Sequence, residues 1–196
     1  MGRIRIHGNK VIKRRNYTIK RHYTECKDIL AEDFQQMCGY CGKDRKVLLK
    51  QFQIDHFAPK SKFPQKRDVY ENLVLACPQC NRLKYDKWVG ENPEISNDGK
   101  KGFVDPASEE YDEHLYREKN GKIMYNTEVG KYMYNLLKFN IRRTELVWKI
   151  IKLNELKEKL KETLKNNPDA EGDRKFVEIQ NELDKLLEYI TYNEKE

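Results

Sequence analysis

The sequence lacks an apolar stretch long enough for a membrane helix, which needs about 18–20 residues. It also has no apolar segment behind its basic N-terminus, so no secretory signal is expected. These absences predict a cytoplasmic protein without a membrane span. Of its 196 residues, 38% are hydrophobic and 36% are charged. This composition allows one ordinary domain, or a small domain with an appendage, around a modest core.

Cysteine is scarce, and the odd count of five argues against a disulfide framework. Cys26 stands alone and is expected to be a small side chain that is buried or half-buried. The other four form two Cys-x-x-Cys pairs, which are Cys38, Cys41, Cys77 and Cys80. Four thiolates from two tight turns suit a tetrahedral structural zinc with no open position for chemistry. The alternatives are reduced, metal-free cysteines or a redox pair.

Negative charge is nearly absent from residues 1–27, where nine lysines and arginines face the single acid Glu25. The net charge of the whole chain is only +7, so the remainder is close to neutral. Such a segment is predicted to be an extended or irregular basic arm that contacts nucleic-acid phosphates. A solvated tail is the alternative.

The order of local signals predicts an α+β protein. A short helix is expected within residues 25–36, and one or two strands within residues 47–55. A second β-prone run leads into the second cysteine turn, and a helix is expected to begin at Asn81. The cysteine pairs would then enclose the sequence "IDHFAP" and fasten its strand to this helix.

The C-terminal region is predicted to be mainly helical. Asn120-Gly121 lies between alternating segments and indicates a hairpin with a type I′ turn. Thr127 is expected to start a helical region, and apolar spacings of three and four residues predict an antiparallel helical pair at 144–165 and 173–192.

The segments "IDHFAPKSKF" and "ENLVLACPQCNRLK" resemble the HNH nucleases, whose ββα-metal fold has a strand ending in Asp-His or His-His, a central Asn, and a helix that begins with His or Asn. Asp55, His56, Asn72 and Asn81 occupy these places. The bracketing cysteine pairs are similar to those of the zinc-bound subgroup. Because Asn81 replaces the last histidine, the chain resembles an H-N-N variant. The resemblance spans residues 38–88.

This resemblance implies a ββα-metal core stapled by zinc in a nuclease domain at residues 28–103, between the arm and the region at 104–196. It also implies that Asn72 braces the loop near His56. The chemistry suits His56 as general base, and the oxygens of Asp55 and Asn81 suit Mg²⁺ or Mn²⁺. The structural alternatives are a core histidine, a turn asparagine at 72, and a helix cap at Asn81.

Two points about this site remain open in the sequence. Adjacent strand residues point to opposite faces, so Asp55 and His56 converge only if the strand ends or bends there. Basic residues near the motif are candidate phosphate contacts, or else a solvated surface: Lys60, Lys62, Arg82 and Lys84.

The resulting hypothesis is a metal-dependent endonuclease that cleaves DNA. The region at about 104–165 is similar to the segment C-terminal to this domain in small stand-alone HNH proteins of bacterial restriction and antiviral defence, some of which act beside an ATPase. A protein partner at the C-terminal helices is therefore expected. The alternatives are a non-catalytic zinc-ribbon module that binds nucleic acid and a partner-gated subunit of a defence complex.

Overall fold

The computed structural model describes residues 3–45 and 51–193 and has an α+β architecture with two small antiparallel sheets. The chain divides into two compact units after Thr144. The first unit therefore extends beyond residue 103, where the sequence had suggested a boundary. Within the described residues, no helix has the length and apolar character needed to cross a membrane.

The centre of the first unit is a strand pair followed by a helix. Strand β1 (Gln53–His56) pairs antiparallel with β2 (Leu73–Ala76), and helix α2 (Pro78–Lys84) comes next. All four residues of β2 are buried, which indicates that both faces of the pair are covered. This is the expected strand–strand–helix order. Residues 47–50 of the run at 47–55, for which one or two strands were predicted, lie outside the described residues.

Helix α2 begins earlier than the sequence suggested. Its first residue is Pro78, which is favoured at this position because proline has no backbone N–H and the first turn of a helix has no partner for one. Asn81 therefore lies inside the helix, and its interpretation as a helix cap is wrong. The helix ends at Lys84, before Tyr85, whose φ of 50° lies outside the right-handed helical region.

The predicted hairpin is present, but its turn differs. After the single helical turn α3 (Tyr111–His114), β3 (Leu115–Arg117) pairs with β4 (Ile123–Tyr125). The N–H of Gly121 donates to the carbonyl of Glu118, and Gly121 has a φ of +92°. A type I′ turn needs positive φ at Asn120 as well, and Asn120 has none. The type I′ assignment is therefore wrong.

The remaining helices lie close to the predicted ranges. Helix α1 covers Lys27–Asp33, and α4 covers Glu128–Leu136, where the Thr127 hydroxyl accepts from the N–H of Gly130 at 3.0 Å. The second unit contains α6 (Ala170–Asn193) and, apart from its first residue, α5 (Thr144–Asn166). An ion pair between Lys149 and Glu182 and a bond from Lys157 to Gln180 join them as an antiparallel pair.

The basic N-terminal segment is part of the first unit and is partly buried in it, which differs from the alternative of a solvated tail. Ile6 and Ile12 are buried. The Arg14 guanidinium makes two bonds to the Asp105 carboxylate, at 2.8 and 2.9 Å, and one to the carbonyl of Leu73 at 2.7 Å. Several of its bases therefore neutralise acids of the protein itself. Three further ion pairs are Arg5–Asp112, Lys10–Asp44 and Arg15–Asp33.

Removing the Arg14 anchor should destabilise the first unit. The change Arg14→Gln leaves Asp105 and the Leu73 carbonyl without their cation, and we expect the free energy of unfolding to fall by about 2 kcal/mol. Urea denaturation measures this. Lys13→Gln removes the same charge from an exposed neighbour and should change stability by less than about 0.5 kcal/mol. Equal effects of the two changes would contradict the anchoring role.

Candidate active site

The four cysteines of the two Cys-x-x-Cys pairs are buried together. Their sulfur atoms all lie within 4.8 Å of one another. Tetrahedral zinc, with Zn–S bonds of about 2.3 Å, places its sulfurs about 3.8 Å apart, and the Sγ atoms of Cys41 and Cys77 are 3.9 Å apart. The residues present therefore fit a structural zinc.

The first cysteine turn is fastened to the sheet. The N–H of Gly39 donates to the carbonyl of Leu75 in β2 at 2.8 Å, and the N–H of Gly42 closes the turn onto the carbonyl of Cys38 at 2.8 Å. Gly42 has a φ of +63°, and a side chain there would collide with the backbone of Ile6. Glycine is therefore required at this end of the turn.

Asp55 is buried on β1 and is held by two partners. The Tyr40 hydroxyl donates to its Oδ2 at 2.5 Å, and the Lys84 amine lies 3.2 Å from Oδ2 and 3.5 Å from Oδ1. Burial raises the pKa of Asp55, although Lys84 opposes this, and burial lowers the pKa of Lys84. Of the two carboxylate oxygens, Oδ1 has the weaker protein contacts and is better able to bind another group.

His56 ends β1 with its ring fixed by the following loop. Its Nε2 lies 3.0 Å from the carbonyl of Arg67. A carbonyl can only accept, so Nε2 carries the proton and Nδ1 carries the lone pair of the neutral ring. Burial lowers the pKa of His56 to about 4, so the ring is neutral near pH 7. The ring of Tyr23 packs edge-on against it, with centroids 4.6 Å apart.

Asn81 presents its amide beside the same strand. Its Nδ2 donates to Oε1 of Gln53 at 2.7 Å. Gln53 lies two residues before Asp55 and therefore on the same face of β1. Because Nδ2 is used by Gln53, the amide oxygen of Asn81 remains available for a ligand.

A pocket of about 370 Å³ brings three of the predicted site residues together. Asp55, His56 and Asn81 all line it, so the end of β1 does bring the two adjacent residues to one place. Lys60 and Arg82 line it as well.

Asn72 lies outside this lining and spans the loop after β1. Its Oδ1 accepts from the N–H of Ala58 at 2.7 Å, and its Nδ2 donates to the carbonyls of Ala58 and Lys66 at 3.0 Å each. These three bonds join both ends of the loop that leads to Arg67, the partner of His56. The bracing role of Asn72 stays a prediction, and these bonds are the contacts that it would use.

The four basic candidates occupy different environments. Lys60, Lys62 and Arg82 are exposed. Lys84 is fully buried and donates to the backbone carbonyl of His56 at 2.8 Å. Lys84 therefore faces the protein interior, which is at odds with its predicted role as a phosphate contact.

Sequence reasoning missed three residues around the site: Tyr40, Gln53 and Tyr23. The hydroxyl of Tyr23 accepts from the Lys60 amine at 2.8 Å, while its backbone N–H donates to Asp68 at 2.9 Å. Gln53 could have been found, since it shares a strand face with Asp55. The contacts of Tyr23 and Tyr40 join distant parts of the chain, and no local pattern indicates them.

Comparison with known proteins bears on the same segment. Residues 38–87 match the family model described as HNH endonuclease. This segment is an HNH domain. It contains both cysteine pairs together with Asp55, His56 and Asn81, so the family recognised from the motif is confirmed. Searches of curated proteins and of solved structures gave no significant match.

Replacing Asn72 with Asp tests the bracing of the HNH loop. The change keeps the size and one acceptor, but it puts an oxygen against the carbonyls of Ala58 and Lys66 where Nδ2 donates now. We expect the free energy of unfolding to fall by about 2–3 kcal/mol, measured by chemical denaturation. The exposed amide of Gln65 provides the control, because Gln65→Glu makes the same chemical change and should be nearly neutral. A stable Asn72→Asp protein would contradict the bracing role.

Proposed function

We propose that this protein is a metal-dependent endonuclease that hydrolyses phosphodiester bonds in DNA, with His56 as the general base. The observation that carries the proposal is the shared pocket lined by Asp55, His56 and Asn81 within an HNH domain. A structural zinc alone gives no reason for these three side chains to meet.

The environment of His56 suits proton transfer from water. The carbonyl of Arg67 holds the tautomer in which Nδ1 is the basic atom. Because the ring is neutral near pH 7, it can accept a proton without first losing one. A phosphate that enters the pocket would raise the basicity of the ring, since a nearby anion favours the protonated form.

The oxygens of Asp55 and Asn81 would hold one divalent cation. One carboxylate oxygen and one amide oxygen are hard ligands, which favour Mg²⁺ or Mn²⁺ over softer metals. When bound, such a cation neutralises the charge that builds on the phosphate and on the leaving oxygen. The Tyr40 hydroxyl and the Lys84 amine position Asp55 by holding Oδ2, so Oδ1 is the proposed ligand atom.

The exposed basic residues at the pocket suit a polyanionic substrate. Lys60 and Arg82 line the pocket, and Lys62 lies just after Lys60 in the same loop. The Tyr23 ring lies 4.5 Å from the Lys60 amine and fixes its position. Phosphate contacts of this kind position a nucleic acid without reading its sequence.

A role in bacterial defence, with an ATPase or another protein partner, rests on the resemblance of the region after the HNH domain. Exposed apolar side chains on α5 and α6 support an interface at these helices: Leu156, Val177, Leu187 and Tyr189. In this form of the proposal, the partner gates the nuclease. A non-catalytic zinc-ribbon module remains the competing function.

Substitution of His56 separates the enzyme from the binding module. We expect His56→Gln to reduce Mg²⁺- or Mn²⁺-dependent plasmid cleavage by about 10²–10⁴-fold, because glutamine can donate to Arg67 but has no basic lone pair. His56→Ala should lose as much activity. Cleavage is measured on protein with one zinc per chain, with and without added cation, and thermal unfolding confirms the fold.

Nucleic-acid binding is the control for these variants. Both should bind DNA about as well as the wild type in a cation-free gel-shift assay. Cleavage by either variant within about tenfold of the wild type would remove His56 from the chemistry. If the wild type binds DNA but never cleaves it, with or without a partner, the zinc-ribbon alternative takes its place.

The substrate path is tested by removing single charges. We expect Lys62→Gln and Arg82→Gln each to weaken DNA binding and to reduce the slope of log affinity against log salt by about 1. Fluorescence anisotropy over a salt series measures this slope. Lys119→Gln, in the turn between β3 and β4, is the matched control. If all three variants keep the wild-type slope, DNA does not follow this path.

A further inference from the structure

An arginine from outside the HNH match lies against the four-cysteine cluster. The Arg142 guanidinium is 3.2 Å from the sulfur of Cys80, 3.5 Å from that of Cys41 and 3.9 Å from that of Cys77. Arg142 belongs to the turn between α4 and α5, more than 60 residues beyond Cys80 in the sequence. One side chain therefore contacts three of the four sulfur atoms.

The position of this guanidinium is fixed by groups that do not belong to the cluster. Its Nη1 also donates to the carbonyl of Leu137 at 3.2 Å, and its carbon lies 5.1 Å from the centre of the Phe139 ring. The same turn therefore supplies the arginine and the contacts that hold it. A planar group with several N–H donors can reach several acceptors at once, which a lysine amine on a flexible stem does less well.

The negative charge of the four-cysteine site explains why a guanidinium would be favourable beside it. Four thiolates around Zn²⁺ leave two excess negative charges, and burial makes uncompensated charge costly. N–H donors directed at ligand atoms stabilise such sites from outside the metal's own ligands. A second arginine, Arg117, lies near the cluster and donates to the backbone carbonyl of Cys41. The Arg142 guanidinium places its N–H donors against the sulfur atoms themselves.

We propose that Arg142 is an outer positioning residue of the zinc site, which stabilises the thiolates and sets how long the zinc is retained. This role extends the metal site from residues 38–80 to the turn before α5. It is independent of the proposed nuclease activity, because it concerns the structural metal. If Arg142 proves to have no such role, the proposed nuclease activity is unaffected. If the protein proves not to be a nuclease, the proposed role of Arg142 is unaffected.

The test measures zinc release from the full-length, zinc-loaded protein. Zinc transfer to an excess of a chromophoric chelator is followed by absorbance for the wild type, Arg142→Gln and Arg142→Lys. We expect Arg142→Gln to weaken zinc retention by about 10–100-fold, as is typical when an outer partner of a metal ligand is lost. Arg142→Lys keeps the positive charge but not the contact with three sulfur atoms. Its zinc retention should lie between those of the wild type and Arg142→Gln.

Lys138→Gln is the matched control, because it removes one positive charge from an exposed position in the same turn. It should retain zinc like the wild type. Replacing zinc with Co²⁺ adds a second readout, since loss of the donors should move the sulfur-to-cobalt charge-transfer band to lower energy in Arg142→Gln only.

Two results would overturn the proposal. One is zinc retention by Arg142→Gln equal to that of the wild type with an unchanged cobalt band. The other is an equal increase in the rate of zinc release in Arg142→Gln and Lys138→Gln. That result would mean that any lost positive charge in this turn has the same effect, whether or not it contacts the sulfur atoms. If Arg142→Gln does not fold in excess zinc, Arg142→Lys decides: faster release than Lys138→Gln supports the role, and equal release overturns it.

Discussion

The meeting of four thiols from two turns is the constraint on which the active-site geometry depends. The first turn is bonded to β2 through Gly39, and the second leads directly into α2. Strand β1 and helix α2 carry Asp55, His56 and Asn81, and β2 pairs with β1; these elements are short, with four, seven and four residues. Elements of this length hold little structure alone, and a metal ion held by the four thiols would stabilise their junction.

A second constraint is the buried charge beneath the pocket. Lys84 and Asp55 form a buried ion pair, and the Tyr40 hydroxyl and the carbonyl of His56 make further hydrogen bonds to them. A buried ion pair adds little to stability, but it fixes the positions of both side chains, because neither group can rotate away without losing its partners. The candidate site thus combines a buried base, built from a lysine and a tyrosine, with exposed basic residues at its edge.

The sequence predicted those parts of the site that consist of short motifs of neighbouring residues. Each cysteine pair, the Asp-His dipeptide at a strand end and the run into the second cysteine turn is a motif of a few consecutive residues. The burial of Lys84 could not be predicted in this way, because the aromatic ring over its amine belongs to Phe103. The same holds for the basic segment at the N-terminus, whose cations find acids up to 107 residues away. The prediction of a type I′ turn was wrong for a local reason. Asparagine tolerates the left-handed conformation that this turn needs, but Asn120 does not adopt it.

The segment that matches the HNH family does not stand alone, because other parts of the first unit contact it. Residues 38–87 rely on Ile6 beside the first cysteine turn, on Arg14 at the end of β2, and on Arg117 and Arg142 around the cysteines. All four come from outside the matched segment. Grafting the HNH segment onto another protein, or trimming the chain to that segment, would therefore remove contacts that residues 3–144 supply together. The matched segment and the compact unit that contains it have different borders.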